Sequence, residues 1–329
     1  MSYGPIWIDL QGTSVLEQEI PLIRHKNTGG VLLFTKNYKN VQQLRDLTQA
    51  IRDYARRPII ISVDHEGGRK WRFDEGFSKP AAPGDYGKLY AQDPEAAIKQ
   101  LYAAGQVVAY QLLSCGVDLT FAPLLDLDHG ISEVIGDRSY NRDPQIVIAC
   151  ARAFINGLRE QGMGAVGKHY PGHGGCTMDS HFTMATDIRT FDEIEKDDLI
   201  PFTELSNEIT GVMPAHVIYP AIDVAPAGFS KFWLQDILRT KLGFKGAIVS
   251  DCLSMRGSGF AEKMSVGAEL ALTAGCDMVI ASQQSREVLA KILDQINWTV
   301  TNEQQDRIQG LAGDFSKHAS QSEPLELLV

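Results

Sequence analysis

Short apolar segments recur along this 329-residue chain and alternate with longer segments that have the apolar period of an α-helix. Alternation of this kind is typical of strand-helix units around a parallel sheet. Eight such units close naturally into a (β/α)8 TIM barrel. We therefore predict an α/β fold with one TIM-barrel catalytic domain over residues 1–329, irregular near its first units. The predicted strands are Ile6–Leu10, Gly30–Phe34, Ile59–Val63, Leu119–Leu125, Ala165–His169, Val212–Val217, Ala247–Ser250 and Met278–Ala281.

The predicted helices carry start and stop signals. Asp93-Pro94 and Asp143-Pro144 each place a capping residue before a proline at the first helical position. Glycines follow several of these helices, as is common at helix C-termini. The stretch Trp71–Tyr90 is instead interpreted as a long polar loop. The predicted helices are Val41–Tyr54, Pro94–Ser114, Pro144–Gln161, Phe191–Ile209, Lys231–Lys241, Met264–Ala274 and Arg286–Ile296.

Polar residues fall at the carboxyl ends of five predicted strands. The active site of a barrel is built at this end, because the loops that follow the strands converge on one face. A chance distribution would place polar residues at both ends, so the pattern indicates a functional site. The residues are Asp64 to Arg69, Asp126 and Asp128, Lys168 and His169, His216, and Asp251.

The segment from Gly167 to His181, GKHYPGHGGCTMDSH, combines ionisable residues with glycines. This composition favours a functional loop over a packing element. A solvated surface loop is one alternative. A metal-binding tract is another, because His169, His173 and His181 are able to converge on one ion.

Asp251 directly follows an apolar strand in the segment AIVSDCLSM, so we expect its carboxylate to project from a rigid support. A carboxylate in that position can attack an anomeric carbon and form a glycosyl-enzyme ester. The simpler alternative is that Asp251 caps the next helix.

A second group must donate a proton and later act as a base. His181 can do this, since the nearby Asp179 is able to fix its tautomer and raise its basicity. The surrounding glycines would let this loop move over a bound substrate. Lys168 and His169 end a strand and should be fixed. Asp64, Arg72 and Arg138 lie in loops where they can bind sugar hydroxyls.

Charge and cysteine content narrow the partners and the compartment. The formal net charge is -10 and no long basic run occurs, which disfavours nucleic acid as a partner. The N-terminal residues lack the pattern of a signal peptide, and no apolar run is long enough to span a membrane. Five cysteines without CxxC spacing fit a reducing compartment. We therefore expect a cytoplasmic protein with no membrane association.

The ordered segments VDHEGGRKWRF, GDRSY, GKHYPGHGGCTMDSH, MPAHVIY and VSDCLSM resemble the signature blocks of glycoside hydrolase family 3. The resemblance is to its compact bacterial β-N-acetylhexosaminidases of the NagZ type, which act in peptidoglycan recycling, and it spans about residues 4 to 300. It implies a TIM barrel, retention of anomeric configuration, and a saccharide derived from peptidoglycan as the small-molecule substrate. It further implies no metal, and we expect no cofactor.

The resemblance also implies roles for individual residues. Asp251 corresponds to the nucleophile, His181 to the acid/base group and Asp179 to the residue behind it. The residues implied to bind the terminal N-acetylglucosamine are Asp64, Arg72, Arg138, Lys168 and His169.

Two positions depart from the family pattern. His65 stands where the family usually has Gln, and Cys252 stands where it usually has Asp. A like charge beside a carboxylate raises its pKa, so Cys252 would leave Asp251 more readily ionised. We expect these departures to affect the rate of glycoside hydrolysis more than the type of reaction.

Two other functions stay open from the sequence. One is a metal-dependent hydrolase with His169, His173, His181 and Asp179 as ligands, which sensitivity to chelators would reveal. The other is a sugar-binding protein without activity, motivated by the altered positions 65 and 252. Phosphate also stays open as an alternative acceptor to water, because a histidine donor repels phosphate less than an anionic carboxylate does.

Overall fold

A computed structural model of the chain describes residues 2–176 and 184–317. A π-helix, Phe232–Lys241, accompanies the α-helices of these two ranges. The α-helices are α1 (Ile20–Arg24), α2 (Val41–Ala55), α3 (Pro83–Gln92), α4 (Pro94–Leu113), α5 (Pro144–Glu160), α6 (Phe191–Glu195), α7 (Leu199–Leu205), α8 (Met264–Ala274), α9 (Arg286–Gln295) and α10 (Asn302–Gln309).

The strands of the same ranges are β1 (Ile6–Asp9), β2 (Thr28–Leu33), β3 (Ile60–Val63), β4 (Leu119–Thr120), β5 (Val166–Tyr170), β6 (Ala185–Thr186), β7 (Gly211–Pro214), β8 (Val217–Tyr219), β9 (Asp223–Pro226), β10 (Ala247–Ile248) and β11 (Val279–Ile280). They form three sheets. The largest is parallel, with strand order β11-β1-β2-β3-β4, and a second parallel sheet has the order β10-β7-β5. The third, β6-β8-β9, includes an antiparallel pair.

The predicted closed eight-stranded TIM barrel is wrong. Each of the eight predicted segments overlaps an observed strand, but these strands divide between separate sheets of five and three. β4 ends at Thr120, and beyond it the chain is joined to β5 by one isolated bridge, between Leu124 and Lys168, and by a few backbone hydrogen bonds rather than by a continuous ladder. β10 and β11 are equally short and are also joined by one bridge. The apolar pattern counts strands but does not determine how far each pairing continues.

The helix starts agree with their capping signals. The side chain of Asp93 accepts a hydrogen bond from Ala96 N, and Asp143 accepts one from Gln145 N. The prediction of a loop over Trp71–Tyr90 is wrong in its last part, where α3 lies. None of the described helices has the length and apolar character needed to cross a membrane.

The parallel strands are buried on both faces. In β1, Ile6 and Ile8 belong to the core beneath the helices, whereas Trp7 points to a second, inner core. Strands of both parallel sheets supply this inner core, including Ile60 from β3 and Val166 from β5. The two sheets therefore face each other across shared packing, and their carboxyl ends lie around one opening.

Candidate active site

A cleft of about 720 Å³, including its open mouth, lies at the carboxyl ends of the parallel strands. It also contains residues to which the sequence analysis gave no individual role, among them Glu66 and Lys70. Two predicted catalytic residues, Asp179 and His181, lie outside the described residues. The predicted site residues that line the cleft are Asp64, Arg72, Arg138, Lys168, His169 and Asp251.

Lys168 is a buried cation in the wall of the cleft. It belongs to β5, and its Nζ lies 3.0 Å from Asp64 Oδ1 and 2.6 Å from Glu66 Oε1. Burial disfavours the charged ammonium, but these two carboxylates outweigh that effect and raise the pKa of Lys168. Lys168 is therefore a fixed positive charge rather than a proton-transfer group.

Glu66 is a site residue that the sequence reasoning did not assign. Its carboxylate accepts two hydrogen bonds of 2.8 Å from Arg138, one from Nε and one from Nη2. Although burial opposes ionisation, Arg138 and Lys168 lower the pKa of Glu66. The sequence signal for Glu66 was its place close to Asp64 after β3. A carboxylate that is buried there requires a cationic partner.

Asp64 receives a second, longer contact from Arg72, with 3.4 Å between Oδ2 and Nη2. Burial opposes ionisation of Asp64, but Lys168 and Arg72 together lower its pKa. Arg72 also lies over the ring of Phe34, 5.8 Å from the centroid. The Nε of Arg72 is buried and has no hydrogen-bond partner within the described ranges.

Asp126 orients the two histidines of the site. Its Oδ2 lies 2.8 Å from His169 Nδ1, while its Oδ1 accepts hydrogen bonds from the backbone N–H groups of His169 and His173. The contact with Asp126 occupies Nδ1 of His169 and not its other ring nitrogen, Nε2. Burial, with the neighbouring His169, lowers the pKa of His173 to about 4, so His173 is neutral near pH 7.

Asp251 lies in the cleft just beyond β10 and is half-buried. Its Oδ1 accepts a hydrogen bond of 2.7 Å from the backbone N–H of Cys252. Beneath it, His216 Nε2 lies 3.1 Å from the carbonyl oxygen of Cys252. Burial lowers the pKa of His216, although Asp251 acts in the opposite direction.

The two positions that depart from the family pattern have different surroundings. Cys252 Sγ lies 3.0 Å from the hydroxyls of both Ser254 and Ser282, and burial raises the pKa of its thiol, which keeps it neutral. His65 stacks on Trp71 with 3.8 Å between the ring centroids, and its Nε2 accepts a hydrogen bond from Phe73 N. Burial lowers the pKa of His65 well below its ordinary value. His65 therefore supports the loop that carries Arg72.

The group of metal ligands that the sequence suggested includes Asp179 and His181, which lie outside the described residues. Within residues 2–176 and 184–317, the side chains placed to share an ion are His129, Asp197 and Asp198. Arg189 and Arg142 already pair with these carboxylates. The predicted metal ligand His169 is instead hydrogen-bonded to Asp126 through Nδ1.

A family model described as the glycosyl hydrolase family 3 N terminal domain matches residues 9–310. A β-hexosaminidase of Nitrosospira multiformis is 45% identical over 299 residues, which cover 91% of this chain and 85% of that protein. A β-hexosaminidase of Tolumonas auensis is 44% identical over 321 residues, which cover 97% of this chain and 94% of that protein.

Solved structures agree. The crystal structure of NagZ from Neisseria gonorrhoeae in complex with N-trifluoroacetyl-D-glucosamine superimposes with a TM-score of 0.90 at 39% identity. The superposition covers 95% of this chain and 91% of that chain.

Proposed function

Because this chain belongs to glycosyl hydrolase family 3 and is a glycoside hydrolase, we propose that it is an exo-acting, retaining β-N-acetylhexosaminidase. In this proposal it releases terminal N-acetylglucosamine from a small glycan. The convergence of Asp251 with the buried ion pairs of Lys168 in one cleft carries the proposal. The relatives named β-hexosaminidase support the choice of sugar.

Asp251 is the proposed nucleophile. Its carboxylate attacks the anomeric carbon, the bond to the leaving oxygen breaks, and a glycosyl ester forms on Asp251. Water then attacks the same carbon, and the ester oxygen leaves as the regenerated carboxylate. Two displacements return the original anomeric configuration. The hydrogen bond from Cys252 N fixes Oδ1 of Asp251 and supports this role by limiting its rotation.

His181 is the proposed acid and base, with Asp179 as the residue that orients it. Both lie outside the described residues, so this assignment depends on the sequence motif alone. His181 would protonate the leaving oxygen in the first step and take a proton from water in the second.

The proposed sugar-binding residues are Asp64, Arg72, Arg138, Lys168 and His169. Carboxylates accept hydrogen bonds from sugar hydroxyls and the cations donate to them, and charged partners strengthen both kinds of bond. The ion pairs that the first four side chains make with one another and with Glu66 support this role, because they hold the groups in place before substrate arrives.

The biological substrate is proposed to be a peptidoglycan fragment in which N-acetylglucosamine precedes N-acetylmuramic acid or its 1,6-anhydro form, with or without peptide. Recycling of such fragments would take place in the cytoplasm. The five buried cysteines, none of which forms a disulfide, fit a reducing compartment.

One assay tests this function. The protein is incubated with a chromogenic N-acetyl-β-glucosaminide, with and without a chelator and phosphate, and the product anomers are followed by NMR. We expect release of the β-anomer first and no effect of the chelator. Initial release of the α-anomer, or loss of turnover on chelation, would contradict the proposal.

A further inference from the structure

Lys70 differs from the other cations of the cleft. It lines the cleft, yet within the described residues its ammonium group takes part in no ion pair or side-chain hydrogen bond. The other three cations, Arg72, Arg138 and Lys168, each reach a carboxylate. Among the described residues, Lys70 is therefore the cleft cation that has no carboxylate partner and whose charge can serve a ligand.

The backbone of Lys70 is nevertheless fixed. Its N–H donates to the Gly67 carbonyl at 3.1 Å, and its carbonyl accepts from Glu66 N at 3.0 Å. The adjacent Arg69 serves a different purpose, because its Nε pairs with Asp137 at 2.7 Å and its Nη2 bonds to backbone carbonyls. This turn thus places the Lys70 side chain in the cleft and ties Arg69 to the neighbouring loop.

The local charge favours an anion. Four cations line the cleft with three carboxylates, Asp64, Glu66 and Asp251, which leaves a local excess of one positive charge although the whole chain carries a net charge of -10. Burial and the nearby Arg138 lower the pKa of Lys70, which means that its ammonium form is disfavoured where it stands. A negative group beside Lys70 would relieve this cost.

Arg72 provides a second, independent observation. Its Nε is buried without a hydrogen-bond partner within the described ranges, while its Nη2 makes only the long contact with Asp64. A buried donor left without a partner costs about 1–3 kcal/mol. An oxygen-rich anion in this part of the cleft can accept from Arg72 and pair with Lys70 at the same time.

We propose that Lys70 is a specificity-determining residue that, together with Arg72, binds an anionic carboxylate or phosphate group carried by the glycoside substrate. This inference rests on the proposed hydrolysis of β-N-acetylglucosaminides and names the class of substrate as acidic. Lys70 acts on substrate choice, and cleavage of the glycosidic bond stays with Asp251.

Two matched substrate pairs locate the anionic group. In the first pair it lies on the leaving sugar: N-acetylglucosaminyl-N-acetylmuramic acid is compared with the methyl ester of its lactyl carboxyl group. In the second it lies on the terminal sugar: an aryl N-acetyl-β-glucosaminide is compared with its 6-phosphate. The variant is Lys70→Met, and Lys79→Met, at an exposed position outside the cleft, is the control for net charge.

We expect Lys70→Met to lower kcat/KM for the acidic member of one pair by about tenfold, as for a partly exposed ion pair, with little change for its neutral partner. Lys70→Arg should keep the preference, and Lys79→Met should not affect it. An equal loss for acidic and neutral substrates, or no loss in either pair, would overturn the proposal. Turnover of the neutral substrates by the unmodified enzyme tests the proposed function separately. If it fails, calorimetric titration with both pairs still measures the charge preference of Lys70.

Discussion

Glu66 and Arg138 form a two-pronged ion pair in the wall of the cleft, with both hydrogen bonds 2.8 Å long and both side chains almost fully buried. Glu66 follows β3, whereas Arg138 belongs to a single helical turn, Gly136–Arg138. The pair therefore joins two loops that the chain separates widely. Lys168 contacts the same carboxylate from β5, so three parts of the chain meet at one charge.

Replacing Glu66 by Gln should destabilise the fold strongly, because Arg138 and Lys168 would lose a shared negative partner in a buried place. We expect a loss of about 3–5 kcal/mol in the free energy of unfolding, measured by urea denaturation. Asp137→Asn, which breaks the half-exposed pair with Arg69, is the matched control and should cost less than about 1 kcal/mol. Similar losses in the two variants would show that the buried pair of Glu66 and Arg138 stabilises the fold no more than the half-exposed pair of Asp137 and Arg69 does.

A low pH should weaken the ion pairs that Asp64 and Glu66 form in the cleft. The pKa values of Asp64 and Glu66 are lowered in the folded protein, so their contribution to stability is complete above their unfolded pKa values, near 4. It is lost as the pH falls through the folded pKa values, because protonation then favours the unfolded chain. The free energy of unfolding should thus decrease below about pH 4, and less steeply in Glu66→Gln. Identical acid dependence in both proteins would contradict this account.

The proposed acid/base role of His181 predicts a dependence on the leaving group. His181→Ala should reduce hydrolysis of a natural disaccharide by about 10²–10⁴-fold, because its alkoxide leaves poorly without a proton. Glycosylation by an activated aryl glycoside should fall much less. Asp179→Asn should show a milder version of the pattern. Steady-state and burst kinetics with both substrates check this, and equal losses for both would move the role elsewhere, with His169 the next candidate.

The sequence predicted the strand positions and the strand-end site residues better than it predicted their connections. The apolar segment that contains β4 indicates a strand, but the pattern does not show that β4 ends at Thr120 and that one isolated bridge follows it. The polar sequence that contains most of helix α3 favours a loop, and the two glycines of its segment PGDYGKLYAQ lower the helix propensity further. Tertiary packing decides its state, since Gly87 lies directly against the backbone of Tyr140.

Some site residues can be predicted from the local sequence, whereas the roles of others depend on distant partners. Asp64, Lys168 and Asp251 were predicted from their positions after strands, and all three line the cleft. The role of Glu66 depends on a partner 72 positions away, which no local pattern reveals. The place of Lys70 in the cleft, without an ion pair to the described residues, is equally hidden, because a lysine in a loop is usually a solvated side chain.

Asp251 is proposed to form a covalent bond with the sugar. Asp251→Asn should lower kcat by about a thousandfold or more, with the fold intact by circular dichroism, because a half-buried carboxylate is replaced by an amide of equal size. This variant tests necessity, and it serves as the control for the measurement that follows.

Trapping of the glycosyl-enzyme intermediate identifies the residue that carries the sugar. A slow fluorinated N-acetylglucosaminide is added, the protein is digested with trypsin, and the labelled peptide is found by mass spectrometry. Cleavage after Lys245 and Arg256 gives the peptide GAIVSDCLSMR, in which Asp251 is the single side-chain carboxylate. We predict one sugar on this peptide and none in Asp251→Asn. A label on any other peptide, or the same label in the variant, would contradict the account.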